Sequence, residues 1–261
     1  MEEMTVQNAI AEARISISRS LDRCYPEHRI GGFTSVDGTV AFYTRVNALL
    51  DPSSVALDFG CGRGCRAEDP VPFRRDLQRL KGKAARVIGV DIDPVGRENP
   101  YLDEFRQLTP DRPWPVDDRS VHLILCDCVM EHLPSPAAFF SEARRVLAKR
   151  GYVCIRTPNI MGYVGFISRL LPHSHHRRVL TKAQKNRREE DIFPTLYRCN
   201  TAGRLRRALA DAGFDAVVYG HESEPAYLDF SKIAYRLGAL YQKLAPGMFK
   251  NVLFAFGQAA D

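Results

Sequence analysis

The chain has 261 residues, with 37 Lys and Arg against 31 Asp and Glu, a formal charge of +6, and 45% hydrophobic residues. That apolar fraction excludes a disordered chain, and folding at this length buries roughly three quarters of the unfolded surface, enough for one large core. Charges interrupt every long apolar run, the opening MEEM carries glutamates where a secretory leader carries Lys or Arg, and the seven cysteines are an odd number. The expectation is a cytoplasmic chain with reduced thiols and no transmembrane segment.

Residues 5–22 predict a helix, with Val6, Ile10, Ala13, Ile17 and Leu21 near helical spacing. Asp37 and Gly38 mark a turn, and Val40 to Leu50 a second amphipathic helix. Val55 to Phe59 is a short apolar strand that runs into Gly60, Gly62 and Gly64. Residues 66–82 suit a helix with Phe73, Leu77 and Leu80 on its apolar side, and Arg86 to Val90 is a buried strand ending on Asp91. The Pro- and charge-rich stretch 94–118 leaves room for one short strand near Phe105. Val121 to Cys126 is a clear strand, Ala137 to Ala148 a helix, and Tyr152 to Arg156 another strand.

After Pro158 comes a polar excursion, 159–200, before Thr201 caps a helix that stops at Gly213. Ala216 to Tyr219 predicts a strand, Tyr227 to Leu244 an amphipathic helix, and Asn251 to Phe256 a closing strand. Met248, Phe249, Leu253 and Phe254 are read with that strand rather than as a membrane contact. Strands alternating with helices imply an α/β fold: a Rossmann-like, doubly wound, mostly parallel sheet with helices on both faces. Residues 1–50 form a helical N-terminal cap in this reading, and 51–261 one domain with lid insertions at about 159–200 and 224–248.

The glycine loop narrows the ligand. A dinucleotide site wants G-x-G-x-x-G, with a pyrophosphate on the helix N-terminus. Here Asp58 precedes G-x-G-x-G, through Cys61 between the first two glycines, and a carboxylate at that point repels phosphate but accepts from an ammonium. A ligand with an amino-acid tail fits better. Asp91 ends the next strand, where an acid takes ribose hydroxyls, Ile92 is placed to lie on an adenine face, and Asp93 to cap the following helix.

These residues resemble the class I S-adenosylmethionine-dependent methyltransferases. The likeness continues through Trp114-Pro115 to Ser120, VHLILCDCVMEHL, RRVLAKRGYVCIRTPN and LRRALADAGF, covering about residues 55–220. It implies S-adenosylmethionine as cofactor, with Gly60, Gly62 and Gly64 at its methionine moiety and Asp91 at its ribose. Asp58, Cys61, Ile92 and Cys128 join that set, and Asp111 is assigned to the adenine amino group. His122 replaces an aspartate common in the family, and Lys149-Arg150-Gly151 replaces a Pro-Gly-Gly turn.

Methyl transfer needs alignment, and a hydroxyl acceptor also needs its proton removed. Asp127, Glu131 and His132 follow the fourth strand and form the catalytic set, with His132 as the base because imidazole titrates near neutrality. Arg156, Asn159, His175, His176 and Tyr197 form the acceptor set; the Phe193 to Tyr197 run supplies aromatic contacts and hydroxyls. Neither Cys61 and Cys65 with Cys126 and Cys128, nor the HSHH run, has the spacing of a structural zinc site, so no metal is expected.

The positive excess lies in 173–188, which holds six Lys and Arg and no acid. The favoured function is O-methylation of a small-molecule or sugar- or glycolipid-precursor hydroxyl, with an anionic or sugar-linked acceptor. Two alternatives stay open: an RNA or DNA methyltransferase using the basic segment, and a non-catalytic S-adenosylmethionine-binding partner protein.

Overall fold

The computed structural model describes residues 20–165 and 193–260. Seven strands share one sheet: β1 (Val55–Phe59), β2 (Arg86–Asp91), β3 (Glu104–Gln107), β4 (Val121–Asp127), β5 (Leu147–Pro158), β6 (Phe214–His221) and β7 (Val252–Ala259). Their order is β3-β2-β1-β4-β5-β7-β6. The pairs from β3 to β5 are parallel, whereas β7 lies antiparallel between β5 and β6.

The central strands read as unbroken apolar runs because both their faces are covered. Leu57, Ile88, Ile124, Val153 and Ile155 point to one face; Ala56, Val87, Leu123, Leu125 and Cys154 point to the other. Helices α3 (Pro136–Val146) and α4 (Ala202–Asp211) cover the first face through Phe139, Phe140, Leu205 and Leu209. Helices α1 (Gly38–Ala48) and α2 (Pro72–Gln78) cover the second, through Phe42, Tyr43, Val46 and Leu77. A further helix, α5 (Lys232–Leu244), packs Tyr235 and Ala239 against Tyr25. Among the described residues, no helix is long and apolar enough to cross a membrane.

Local chemistry sets the helix ends. Asp37 caps α1, its Oδ1 accepting from Thr39 and Val40 N–H at 2.8 and 2.9 Å. The helix therefore starts at Gly38, two residues before the sequence suggests. Ser135, Thr201 and Ser231 cap α3, α4 and α5 in the same way. The single helix expected over 66–82 is instead a 3-10 turn at Cys65–Glu68 followed by α2. Pro70 and Pro72 lack the N–H groups a continuous helix would need. Likewise, the helix expected from Tyr227 is a 3-10 turn at Ala226–Leu228 and then α5.

Helix α1 packs Phe42, Tyr43 and Val46 into the core of the sheet's second face. Leu253 and Phe254 are buried in β7, but Met248 and Phe249 precede it, in a separate exposed turn at Gly247–Phe249. Residues 5–19 of the predicted first helix, most of the 159–200 excursion and the basic run at 173–188 lie outside the described residues.

Phe140 is buried to 1% between Phe139 and Phe214. Phe140→Ala should lower the urea-unfolding free energy by about 3–5 kcal/mol. A loss below about 1 kcal/mol would mean that this face can collapse around the deleted ring.

Candidate functional site

Parallel pairing brings the carboxyl ends of β1, β2, β4 and β5 to one edge, where open α/β sheets bind ligands. Beyond β1 the chain turns through Gly60, Gly62 and Gly64, all with positive φ. A Cβ on Gly60 would lie 2.5 Å from Val129, so that glycine lets two turns pack. A Cβ on Gly62 would meet nothing within 4 Å. Its backbone therefore borders open space at φ +51, which a side chain would both strain and fill.

Asp91 pins this loop. Its Oδ2 accepts from Gly62 N–H and its Oδ1 from Asp93 N–H, both at 2.9 Å. Ile92 beside it is 52% exposed, unusual for an isoleucine at the end of a buried strand. Asp111 stands in an exposed left-handed turn after β3. The Cys61 side chain is buried in the core near the position of Gly89, and burial, with help from Asp58 and Asp91, pushes its thiol up. Only its backbone remains at the loop.

Asp58, Asp127 and Arg156 are engaged differently from the sequence reading. Asp58 is buried at 3% and holds Arg66 through two hydrogen bonds, Nη1 to Oδ2 at 2.8 Å and Nη2 to Oδ1 at 3.3 Å. Asp127 accepts from Arg156 Nε at 2.6 Å and Nη2 at 2.7 Å, and from the Tyr43 hydroxyl at 2.7 Å. Arg66 Nε lies 3.8 Å from Asp127, linking the two pairs. Arg156 also donates to Thr39 Oγ1 at 3.0 Å and stacks its guanidinium over Phe42 and Tyr43. Asp127 is thus committed as a counter-ion and is no free base, and Arg156 is spent on it rather than on an acceptor. Burial opposes ionisation of Asp127, yet Arg156 and Arg66 hold its carboxyl well below the usual range.

A second cluster forms around Glu131 and His132. The Glu131 carboxyl accepts from Thr157 Oγ1 at 2.9 Å, and Asn200 Nδ2 donates to the same hydroxyl at 2.7 Å. Burial raises the Glu131 pKa. Leu196 and Tyr197 donate backbone N–H to Glu131 O, at 2.7 and 3.0 Å, so the 193–197 run lies against this turn. His132 Nδ1 is 2.9 Å from Pro194 O, and its Nε2 is 3.9 Å from Glu131 Oε1. A carbonyl only accepts, so Nδ1 carries the hydrogen and the neutral ring presents an Nε2 lone pair. Cys128 and Tyr197, at φ +58 and +51, flank the cluster in conformations that cost energy outside glycine.

Asn159 does not join it. The side chain is 1% exposed and donates to Met248 O and Lys250 O at 2.9 and 2.7 Å, while its Oδ1 accepts from Met161 N–H. It is a brace between β5 and the turn before β7. His175 and His176 lie outside the described residues. His122 accepts from Val55 N–H at 3.0 Å across β4 and β1, far from the crevice edge. Among the described residues no three His, Cys, Asp or Glu side chains form a metal-holding group. Sequence reasoning missed Arg66, Tyr43, Thr157 and Asn200; nothing in local spacing announces long-range partners of this kind.

The Asp127 carboxyl titrates lower in the folded state than in the unfolded chain, so its contribution is complete above the unfolded value near ~4 and fades as pH falls through the folded one. Asp127→Asn should therefore flatten the loss of unfolding free energy between about pH 5 and pH 2. Parallel pH profiles for the two proteins would contradict the pairing.

A family model described as a methyltransferase domain matches residues 38–219. The ubiquinone biosynthesis O-methyltransferase of Acinetobacter baumannii is 26% identical over 141 residues, covering 46% of this chain and 55% of that protein. An uncharacterized 37.1 kDa protein in transposon TN4556 of Streptomyces fradiae is 26% identical over 167 residues, covering 60% of this chain and 46% of that protein. The chain thus spans about half the length of these curated relatives. A SAM-dependent methyltransferase from Archaeoglobus fulgidus shares the fold, with TM-score 0.53, 16% identity, and coverage of 89% of this chain and 97% of that one. The match takes in α1, the glycine loop, Asp91 and the Glu131 turn, and the chain belongs to the methyltransferase-domain family.

Proposed function

We propose that this protein transfers a methyl group from S-adenosylmethionine to a hydroxyl of a small organic acceptor, with His132 as general base. The observation that carries the reading is the fixed tautomer of His132, whose Nδ1 is tied to Pro194 O while its Nε2 stands beside the Glu131 carboxyl. A proton taken by Nε2 makes a cation next to that carboxylate, which favours the transfer. Glu131 is held by Thr157, and Tyr197 borders the same turn with its phenol pushed up by burial. Both suit contact with a polar, uncharged acceptor group.

The loop residues fit the cofactor. Open space at Gly62, the exposed apolar face of Ile92 and the carboxylate of Asp91 suit, in turn, a close backbone approach, an adenine face and a ribose diol. Asp58, near the end of β1, is held by Arg66, so its part in the cofactor site is to fix the base of the glycine loop rather than to take a ligand ammonium. Gly60, Gly64 and the backbone of Cys61 shape that loop; Cys128 adds a strained backbone amide opposite it, donating to Arg156 O. Asp111 remains the proposed adenine contact, from the loop after β3. The cofactor supplies an already activated sulfonium methyl, so the chain's work is to align, to keep the crevice dry and to accept a proton. The name of the Acinetobacter relative, an O-methyltransferase, supports oxygen as the methylated atom.

Calorimetric titration should show S-adenosylmethionine and S-adenosylhomocysteine binding, no NAD binding, and at least about tenfold weaker cofactor binding for Asp91→Ala. Unchanged affinity would remove Asp91 from the cofactor site. His132→Gln should cut kcat for a hydroxyl acceptor by about a hundredfold or more while leaving cofactor affinity alone. A variant that methylates at the parent rate would make His132 a scaffold residue. Steep loss of binding to bare RNA or DNA with added salt would instead favour a nucleic-acid acceptor.

A further inference from the structure

The outer face of α5 has no packing partner among the described residues. Ile233, Leu237, Leu240 and Leu244 recur at helical spacing and are 72%, 62%, 52% and 70% exposed. The opposite face is fixed: Tyr235 and Ala239 pack on Tyr25, and a Cβ on Gly238 would lie 2.5 Å from Pro225. The leucine stripe is thus held outward and cannot roll inward. Phe230, two residues before the helix, and Met248 and Phe249, in the turn held by the Tyr241 hydroxyl on Phe249 O, extend the apolar surface at both ends.

Charge says what this surface meets. Lys232, Arg236 and Lys243 line one flank of the stripe, Lys250 follows the turn, and no Asp or Glu occurs between Ser231 and Ala260. The acids nearby in sequence are turned elsewhere, Glu222 onto Asn251 and Glu224 onto Thr34; Asp229 alone sits close to the helix start. An apolar stripe edged by cations is the pattern of a helix lying in a membrane interface, with its leucines among acyl chains and its basic residues at the head groups. A second copy of the same basic face would repel it.

We infer that α5 and the Gly247–Phe249 turn form a docking surface for an anionic phospholipid bilayer. This rests on the surface itself and not on the assignment of His132. The turn is tied to the strand that leads into the site, because Asn159, next to the end of β5, donates to Met248 O and Lys250 O. Docking would hold the acceptor end of the crevice at the membrane, where an amphiphilic acceptor resides.

The test is sedimentation of the full chain with phosphatidylglycerol–phosphatidylcholine vesicles and with phosphatidylcholine vesicles. Binding to the first, weakened by salt and at least about tenfold weaker in Leu237→Ser/Leu240→Ser, is the expected result. Lys232→Gln/Arg236→Gln/Lys243→Gln should lose the preference for the anionic vesicles. Unchanged calorimetric affinity for S-adenosylmethionine certifies that each variant is folded. Failure of the parent to sediment with either vesicle would overturn the inference, as would equal binding by the leucine variant. Dimerisation abolished by Leu237→Ser/Leu240→Ser would assign the face to a second copy, and vesicle binding seen only after removal of residues 1–19 would assign it to that segment; either result would also overturn it.

Discussion

A carboxylate at the end of the central strand must be paired or it will not stay ionised, and Asp127 meets that demand with residues from three separate elements. Arg156 reaches it from β5, Tyr43 from α1, and Arg66 from the turn after the glycine loop. Arg66 in turn satisfies Asp58 on β1. Two carboxylates and two guanidiniums thus neutralise one another where water is scarce. Such a network adds little net stability, because desolvation offsets much of the attraction. It does specify geometry, since each member has only one arrangement in which all its partners are met. The floor of the crevice is set by charge pairing, and α1 is part of that floor rather than an appendage to it.

This explains how the sequence reads well for the fold and unevenly for the site. Strands β1, β2, β4 and β5 are covered on both faces, so they stand out as apolar runs between turn residues. The glycine loop and Asp91 are equally visible, because backbone freedom and a strand-end acid have local signatures. The position of β7 between β5 and β6 has none; antiparallel insertion is decided by sheet packing after the chain has passed. Arg66 has no such signature either, since its value depends on Asp58 and Asp127 arriving from other strands. Arg156 and Asn159 show the converse. Their place after the fifth strand was readable, but their partners were not, and partners decide whether a polar side chain serves a ligand or the fold.

Backbone strain recurs beside Glu131. Two of the non-glycine residues with positive φ, Cys128 and Tyr197, stand on either side of Glu131. The Tyr197 N–H is held by Glu131 O, and Cys128 N–H by Arg156 O at 2.8 Å. Hydrogen bonds therefore maintain both outliers, as expected where the surrounding structure over-determines an unfavourable backbone. The glycine loop, by contrast, takes its positive φ values at Gly60, Gly62 and Gly64, where no Cβ is strained.

Asn159 connects these arguments to the molecular surface. A residue that donates twice to the backbone of 248–250 cannot also bind an acceptor, yet it couples β5 to the outward-facing turn. Thr157, two residues earlier, holds Glu131. Thr157 and Asn159, at and beside the end of β5, thus tie the Glu131 carboxyl and the backbone of 248–250 to the same strand end. An exposed apolar helix carries a cost in water that a protein normally removes by packing. Here the packed face of α5 is occupied and the apolar stripe is turned out, on the same framework that holds Glu131 and His132. That arrangement is economical if the acceptor arrives from the surface the stripe touches, and has no structural purpose if it arrives from bulk water.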